Sequence, residues 1–465
     1  MNLRWIIWII TVAALIVACN VYASYTVSFD AAGIHRAILS SIIAVLGIIS
    51  LFTLPRLTAR GKIIAILSVS TLARVSVLPT APSDDINRYL WEGKLAGLRV
   101  SPYQAVASDP VYAPHRDHYW EKMNHIDKPT AYPPLAMEAF QVINKMGYNP
   151  MSYKVTFMLL DLFLIATLLA LLNHHRLPLQ WSMLYALSPL SLLSFAAEGH
   201  FDILMVLAVI FSLLALSKRW YITCGIAVGI AVGAKIMALV VAPLILWRAG
   251  AKGIIAALIT FIIPLIAYWA NLISIVNGLF VFGSKGRFNG PVHQVVSALN
   301  GDQFASLSTA ILFIFIWFFA FWLMLKDRLW SSVFIAFGGL VILSPVVHFW
   351  YLTWILPLVA LRPKLSWISL SISFSLYFLV WDQLATIQIW NLPLWAKWLF
   401  WLSFFILLIM ENRSLFSKLR FLSQHPENSA NPSFAIIIPT YNPGSELQQT
   451  LASLAAQTIR PQEVI

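Results

Sequence analysis

Long, uninterrupted apolar blocks restrict this chain's fold more than any other feature of its sequence. Of its 465 residues, 60% are hydrophobic and only 11% are charged, and its mean hydropathy is +0.78. A block of about 18 or more apolar residues is long enough to cross the hydrocarbon core of a bilayer as a helix. The sequence therefore predicts an all-α polytopic membrane protein.

The apolar blocks are consistent with about twelve to fourteen membrane spans. We place spans at residues 5–23, 36–55, 63–79, 153–172, 180–197, 200–217, 221–234, 236–247, 253–276, 306–325, 330–346, 349–361, 365–381 and 395–410. The stretch 221–247 is either one long tilted helix or two half-helices broken at Gly233 and Lys235. The first block looks like a signal peptide, but further spans follow at once, so we interpret it as an uncleaved helix.

The positive charges predict the orientation of the spans. The formal net charge is +12, and its Lys and Arg residues lie in short links between apolar blocks. These links all fall on one side if the N-terminus is cytoplasmic, and fourteen spans then place the C-terminus there as well. This placement argues against a nucleic-acid partner. Cys19 and Cys224 lie inside apolar blocks, so no disulfide framework or CxxC site is predicted.

A long polar loop at residues 80–151 is expected on the opposite, outer side. It opens with Ser83-Asp84-Asp85, where Ser83 is the predicted N-cap of a helix. Carboxylates favour helix N-termini for purely structural reasons, and Arg88 could pair with either one. An aspartate there could instead act as a general base, since its carboxylate neighbour would raise its pKa. The pair could also hold a divalent cation, Mg²⁺ or Mn²⁺.

Further candidate residues fall where apolar blocks end on the same side. Tyr132 precedes Pro133-Pro134, and an amphipathic stretch follows. His200 and Asp202 lie in Glu198-Gly199-His200-Phe201-Asp202, Lys235 interrupts an apolar block, and His348 and Tyr351 follow Ser344-Pro345. Ionisable groups at membrane depth face cavities or partners, although they could only pair with each other or reach toward the interface. Asp161, inside a span, is interpreted as a structural hydrogen-bond partner.

These motifs in this order resemble the GT-C superfamily of integral membrane glycosyltransferases. Asp85-Ile-Asn-Arg-Tyr-Leu-Trp-Glu-Gly93, Ser101-Pro-Tyr103 and Tyr132-Pro-Pro134 are similar to segments of bacterial polyprenol-phosphate-mannose-dependent mannosyltransferases. Gly199-His-Phe-Asp202 and Pro345-Val-Val-His-Phe-Trp-Tyr351 continue the likeness, which covers roughly residues 1–410. Glu92 stands where Asp is expected in many relatives.

The resemblance implies transfer of a hexose, mannose by default, from a polyprenyl-phosphate donor to a hydroxyl of a glycan, lipid or protein. It implies inversion at the anomeric carbon, with Asp84 or Asp85 as the base. Arg88, Tyr132, His200, Asp202, Lys235, His348 and Tyr351 are then candidate substrate-binding residues. A cation near the phosphate would stabilise the leaving group. The implied location is the bacterial inner membrane, with the active site on its outer face.

The C-terminal residues change in character. Residues 413–432 form a polar linker, and residues 433–465 have the pattern of a strand, an amphipathic helix and a second strand, the opening of an α/β domain. Ile436-Ile-Ile-Pro-Thr-Tyr-Asn442 resembles the start of a GT-A nucleotide-sugar glycosyltransferase. The acidic motifs of that family come later than residue 465, so we expect either a longer natural gene or a remnant.

Two other classes of function remain open at the sequence level. One is a flippase or carrier for lipid-linked glycans, which does not need a long outer loop with paired aspartates. The other is a polymerase or ligase of surface polysaccharide, which depends more on Arg and His. The aspartate pair favours the glycosyltransferase.

Overall fold

The computed structural model describes residues 3–26, 33–104 and 106–412, and the backbone of residues 435–436 and 463–464. The chain divides into two compact units, residues 1–411 and 412–465. The first unit is built of helices. Its α-helices are α1 Leu3–Tyr25, α2 Gly33–Thr53, α3 Ala59–Val77, α4 Asp85–Gly97, α5 His118–Glu121, α6 Pro134–Met146, α7 Pro150–His174, α8 Met183–Ala186, α9 Pro189–Ser191, α10 Asp202–Ser217, α11 Tyr221–Ala234, α12 Ala242–Ile266, α13 Leu272–Lys285, α14 Pro291–Asn300, α15 Asp302–Leu325, α16 Leu329–Leu343, α17 Leu356–Leu361, α18 Leu365–Ser373, α19 Val380–Ile387 and α20 Leu394–Glu411.

Short 3₁₀ and π segments connect several of these helices. The 3₁₀ segments are Pro110–His115, Leu179–Ser182, Ile236–Val240, Trp269–Asn271, Phe349–Trp354 and Phe374–Leu379, and the π segment is Leu192–Ala197. Within the described residues, seven helices are long and apolar enough to cross a membrane: α1, α2, α7, α12, α15, α20 and the combined stretch Leu365–Ile387. The range of α12 includes a kink at Gly250, whose φ of 68° and ψ of −168° are not helical. The predicted all-α polytopic membrane fold is confirmed.

Some predicted spans are not continuous helices. The block 180–197 folds as α8, α9 and the π segment, because Ser188 caps a new turn that begins at Pro189. The block 349–361 is a 3₁₀ segment followed by α17. For the stretch 221–247, the half-helix alternative is confirmed: α11 ends at Ala234, and Lys235 adopts an extended backbone with φ −150° and ψ 123°.

A buried charged pair joins α3 to the spanning helix α7. Arg74 Nε donates to Asp161 Oδ2 at 2.7 Å, and the Tyr185 hydroxyl donates to Asp161 Oδ1 at 2.5 Å. The Arg74 guanidinium also donates to the Ala186 carbonyl at 2.8 Å. Both Arg74 and Asp161 are fully buried. Asp161 is therefore the buried hydrogen-bond partner that the sequence predicts, and it lies away from the site described below.

The long loop of residues 80–151 is largely ordered into α4, α5 and α6. Its helix α4 begins at Asp85, so the capping position is Asp84 and the predicted N-cap at Ser83 is wrong by one residue. The Tyr89 ring stacks on Phe140 of α6 at 4.7 Å, which packs the two helices together. The Tyr153 hydroxyl in α7 donates to the Tyr89 carbonyl at 3.1 Å and fastens α4 to the membrane helices.

The second unit contains two short strands in the described residues. Strand β1 Ala435–Ile436 pairs in parallel with β2 Glu463–Val464, in the register Ala435 to Glu463 and Ile436 to Val464. Parallel strands require a crossover connection, which agrees with the predicted strand–helix–strand pattern. The predicted linker 413–432 and the predicted helix between the strands lie outside the described residues, so the α/β domain stays a prediction.

Candidate active site

A large cavity lies at the end of the bundle where α4 begins, and its volume is about 1260 Å³. All nine of the catalytic and substrate-binding candidates predicted from the sequence line it. They are Asp84, Asp85, Arg88, Tyr132, His200, Asp202, Lys235, His348 and Tyr351. These residues come from five separate stretches of the sequence, and the fold brings them together around one cavity. Large concave cavities with a few convergent polar groups are the usual location of active sites.

A tight turn between the π segment and α10 brings two of these stretches together. Gly199 has φ +76°, and a Cβ atom at that position would lie 2.4 Å from Cδ1 of Ile86. The positive φ favours glycine here, and any larger residue would also require the Ile86 side chain to move. The Ser83 N–H donates to the Glu198 carbonyl at 3.0 Å. The turn is therefore held against the start of α4, with the Glu198 and His200 side chains beside the two aspartates.

Asp85 is the first member of a chain of charged groups. Nδ1 of His200 lies 3.3 Å from Asp85 Oδ2, and Nε2 of His200 lies 3.3 Å from Glu198 Oε2. Glu198 Oε1 lies 3.5 Å from Arg36 Nη1 in α2, and Asn124 Nδ2 donates to Asp85 Oδ1 at 2.7 Å. Both nitrogens of the buried imidazole therefore face carboxylates, and both Asp85 oxygens have partners.

The two aspartates differ in their electrostatic environment. Burial raises the pKa of Asp84 well above its usual range, and the negative charge of Asp85 raises it further. Burial opposes ionisation of Asp85 as well, but the His200 and Asn124 hydrogen bonds and the His200 charge hold its pKa below its usual range. Burial also opposes the charge of His200, yet the two carboxylates outweigh it and raise its pKa to about 9. Asp85 and His200 thus form an ion pair, whereas Asp84 is poised to exchange a proton near neutral pH.

The geometry at Asp84 also bears on the purely structural interpretation of the pair. An N-cap carboxylate would accept a hydrogen bond from a backbone N–H of the first turn. Asp84 occupies the capping position of α4, but its side chain makes no capping hydrogen bond. A capping hydrogen bond therefore does not account for the half-buried Asp84, and the helix dipole is the structural reason for a carboxylate at this place that still applies.

A second charged pair lies immediately after the end of α11 at Ala234. Lys235 Nζ donates to Asp202 Oδ1 at 2.6 Å, and the Trp354 indole donates to the same oxygen at 2.6 Å. The Lys235 ammonium lies 5.1 Å from the ring centroid of Tyr351 and 5.3 Å from that of Trp354. The ammonium is partly exposed to the cavity, and its aromatic surroundings strengthen electrostatic contacts.

Four rings form a continuous stack along one wall of the cavity. Centroid distances are 3.7 Å from His200 to Trp350, 4.3 Å from Trp350 to His348 and 5.1 Å from His348 to Phe288. Nδ1 of His348 lies 2.9 Å from the Tyr377 hydroxyl, and burial lowers the pKa of His348 to about 3. His348 is therefore neutral, which suits it to hydrogen bonding rather than to charge compensation.

Arg88 and Tyr132 belong to the packing of the loop over the cavity. Arg88 Nε donates to Glu92 Oε1 at 2.8 Å, and its terminal nitrogens donate to the carbonyls of residues 124, 125, 128 and 129. Glu92 Oε2 accepts from Thr130 Oγ1 at 3.0 Å. The buried Arg88–Glu92 pair thus fixes the segment that carries Asn124 and Tyr132.

Apolar side chains form the remaining part of the lining. They come from the 3₁₀ segment after Lys235 and from α13, α15 and α16, and are Ile236, Met237, Leu279, Leu307, Ala310, Phe313, Leu340 and Leu343. Only 22% of the most apolar stretch of α15 is buried inside the protein. The cavity therefore combines a charged region with an apolar region beside a lipid-facing helix.

Several residues of the site were not among the sequence candidates. Glu198 lies within a segment that the sequence singled out, so its position between two outer-side spans could have identified it. Asn124 and Arg287 lie in polar stretches with no pattern that marks them. Among the described residues, no group of three or more His, Cys, Asp and Glu side chains is arranged to hold a metal ion. A divalent cation at Asp84 and Asp85 stays a prediction.

The chain matches a known protein family. A family model described as alpha-(1→6)-mannopyranosyltransferase, N-terminal domain, matches residues 8–251, just over half of the chain. The matched segment contains the two aspartates, the 198–202 turn and Lys235. No curated protein sequence matches the chain.

Proposed function

The chain belongs to the alpha-(1→6)-mannopyranosyltransferase family, and on that premise we propose that it takes its mannosyl group from a polyprenyl phosphate. It is a mannosyltransferase of the GT-C kind in a multi-pass membrane protein. In the proposed reaction, the acceptor hydroxyl attacks the anomeric carbon as the bond from that carbon to the phosphate oxygen breaks. The hydroxyl proton passes to an aspartate, and the polyprenyl phosphate leaves with the bonding electrons. If the product linkage is α, inversion requires a β-linked donor.

Asp84 is the proposed general base. The observation that supports it most is the contrast within the pair: Asp85 is ion-paired to His200, whereas burial and the Asp85 charge raise the pKa of Asp84. A base is most effective when its pKa is near the working pH. Asp85, through His200 and Glu198, acts in this proposal as the fixed negative charge that sets the proton affinity of Asp84.

Lys235 is the proposed partner of the donor phosphate. Its ammonium lines the cavity between two aromatic rings, and Ile236 and Met237 follow it directly in the apolar part of the lining. A polyprenyl phosphate has the same succession of a charged head and an apolar chain. A positive charge beside the leaving phosphate would stabilise it as the bond breaks. His348, being neutral, is better suited to hydrogen bonding with substrate oxygens.

The proposed orientation rests on the charge distribution of the sequence. The proposal retains cytoplasmic termini in a bacterial inner membrane, with the cavity on the outer face, because the Lys- and Arg-rich links then share the cytoplasmic side. Donor would enter from the outer leaflet.

The test is sugar transfer by the full chain reconstituted in liposomes. The assay supplies radiolabelled β-linked polyprenyl-phosphate mannose and α-(1→6)-linked mannose oligosaccharides. The expected result is a labelled product one residue longer, cleaved by an α-mannosidase and not by a β-mannosidase. Absence of transfer from any polyprenyl-phosphate hexose, with the acceptor varied over glycans, lipids and peptides, would overturn the proposal and favour a carrier of lipid-linked glycans.

A further inference from the structure

A second polar cluster lines the cavity and has no role in the reaction described above. It consists of Arg287, His293, Asp302, Gln303 and Ser306, contributed by the segment before α14, by α14 and by the first turns of α15. Arg287 donates two parallel hydrogen bonds to Asp302, from Nε to Oδ1 at 2.7 Å and from Nη2 to Oδ2 at 2.8 Å. This cluster is named the rim cluster below.

The rim cluster is preorganised and still accessible. Arg287 Nη2 donates to Ser306 Oγ at 3.2 Å, and Nε2 of His293 lies 3.1 Å from the same oxygen. The His293 side chain is buried, whereas those of Arg287 and Asp302 are 32% and 50% exposed. A bidentate guanidinium–carboxylate pair fixes its geometry, so the exposed edges of both groups are held in place before a ligand arrives.

The chemistry of the rim cluster fits hydroxyl groups better than a phosphate. The Arg287 and Asp302 charges cancel, and burial lowers the pKa of His293, which leaves the imidazole neutral. The remaining groups are the Ser306 hydroxyl and the Gln303 amide. Each group is a donor, an acceptor or both, as sugar hydroxyls require, and Asp302 already occupies the Nε and Nη2 donors of Arg287 that would bind an anion in bidentate fashion. Trp390, 38% exposed in the same lining, offers an aromatic face nearby.

The position of the rim cluster relative to the aspartates sets the size of the ligand. Arg287 adjoins Phe288, which begins the ring stack that ends at His200 beside Asp85. Three successive ring contacts, of 5.1, 4.3 and 3.7 Å, separate the two ends. A chain of sugar units can bridge such a distance, whereas one unit held near the aspartates would not reach Arg287. The cavity of about 1260 Å³ exceeds the roughly 300–1,000 Å³ of most small-molecule pockets, so it has room for two substrates.

We infer that the rim cluster is a distal acceptor subsite that binds a neutral oligosaccharide several sugar units from the attacking hydroxyl. The inference rests on the proposed function, because it takes the aspartate end of the cavity to be the place of reaction. The apolar lining then accommodates the lipid chain of the donor, and the rim cluster accommodates the acceptor chain.

The experiment compares long and short acceptors. In reconstituted full-length protein, KM is measured for methyl α-mannoside and for α-(1→6)-linked mannotriose with polyprenyl-phosphate mannose as donor. We expect a KM for mannotriose at least tenfold lower in the wild type. In Asp302→Asn and in Gln303→Ala this advantage should disappear, with donor KM and the KM for methyl α-mannoside within twofold of wild type. Gln303 is exposed, so its variant tests the subsite without breaking the ion pair.

The control variant is Asp327→Asn. Arg248 and Asp327 form a comparable exposed ion pair that is not part of the cavity lining among the described residues, so its loss should leave the mannotriose preference intact. A preference that persists in both Asp302→Asn and Gln303→Ala overturns the inference while the transferase proposal stands.

A binding measurement tests the rim cluster independently of sugar transfer. Saturation-transfer NMR with mannotriose and no donor should show contact in the wild type and its loss in Asp302→Asn. If that pattern is found and no donor supports transfer, the rim cluster remains an oligosaccharide-binding site, but its role as an acceptor subsite fails together with the transferase proposal. If wild-type protein shows no mannotriose contact in the presence or absence of donor, the inference is overturned.

Discussion

Nδ1 of His200 lies 3.3 Å from Oδ2 of Asp85, and this contact distinguishes the two neighbouring aspartates. His200 reaches Asp85 from a turn before α10, and Glu198 on the same turn contacts the other side of the imidazole. The ion pair keeps Asp85 charged, and that charge acts on Asp84. One residue of the pair thereby becomes a fixed charge, and its neighbour becomes a group that can take up a proton.

The first prediction distinguishes the roles of the aspartates by substitution. Asp84→Asn should lower kcat for mannosyl transfer by about 10²–10⁴-fold, the usual contribution of a general base. Donor binding should be unchanged, because the change removes one proton acceptor and little volume. Turnover with radiolabelled donor measures kcat, and equilibrium binding of the donor is the control. An Asp84→Asn enzyme with near wild-type kcat would contradict the assignment.

The second prediction concerns the acidic limb of the pH–rate profile. The base must be deprotonated, so kcat/KM should fall as the pH drops through the pKa of Asp84, well above the usual range of an aspartate. Asp85→Asn removes the neighbouring negative charge that helps to raise this pKa. The acidic limb of the Asp85→Asn variant should therefore move to lower pH. An acidic limb at the ordinary aspartate pKa in the wild type would count against Asp84.

The third prediction tests Glu198 as a positioning residue. Glu198→Gln removes one of the two carboxylates that raise the pKa of His200 to about 9, so that pKa should fall. His200 would then lose its charge at lower pH. Because that loss breaks the ion pair that holds Asp85, the alkaline limb of kcat/KM should shift to lower pH. The matched comparison is Glu92→Gln, which changes a buried glutamate paired with Arg88. A packing defect alone would lower activity without moving the alkaline limb.

The fourth prediction concerns the donor phosphate. Lys235→Met should raise the donor KM about tenfold or more, equivalent to about 1.4 kcal/mol, since the ammonium is the proposed phosphate contact. Lys235→Arg should recover part of this loss because it restores the charge. Lys94→Met is the control: Lys94 also pairs with an aspartate, Asp117 at 2.7 Å, but it is not part of the cavity lining. Equal donor KM values for Lys235→Met and wild type would refute the phosphate contact.

The fifth prediction addresses the buried pair between α3 and α7. Asp161→Ala leaves Arg74 buried without its carboxylate partner, which should cost about 3–5 kcal/mol of stability. Thermal unfolding in detergent, followed by tryptophan fluorescence, should show a clearly lower midpoint. A variant that replaces both residues, Arg74→Met with Asp161→Leu, should recover much of the loss. A single variant as stable as the wild type would mean that the pair is not needed for the fold.

The class of fold could be predicted from the sequence because it depends on local composition. Apolar blocks of spanning length favour membrane helices wherever they occur in a sequence. The sequence also indicates that Lys235 lies at a cavity or beside a partner, because an ionisable group inside an apolar block is otherwise costly. Its partner Asp202 was a separate candidate, and only the structure shows that the two meet.

The finer course of the backbone was less predictable. The block 180–197 is apolar enough for a span, yet Ser188 and Pro189 start a new turn within it. Hydropathy measures the polarity of the side chains, so it does not show where a proline removes a backbone hydrogen bond and ends a helix. The N-cap was misplaced by one residue for a similar reason, since both Ser83 and Asp84 are suitable capping residues.

By itself, the sequence determined the membrane-embedded helical fold and which segments carry polar groups at one end of it. The tertiary structure alone decided how those groups pair: His200 with Asp85 and Glu198, Lys235 with Asp202, and Arg287 with Asp302. Pairing depends on distances between residues far apart in the chain, and a proton affinity depends on burial and on nearby charge. Local sequence encodes neither quantity, so two adjacent aspartates that look equivalent in the sequence have different electrostatic environments in the folded protein.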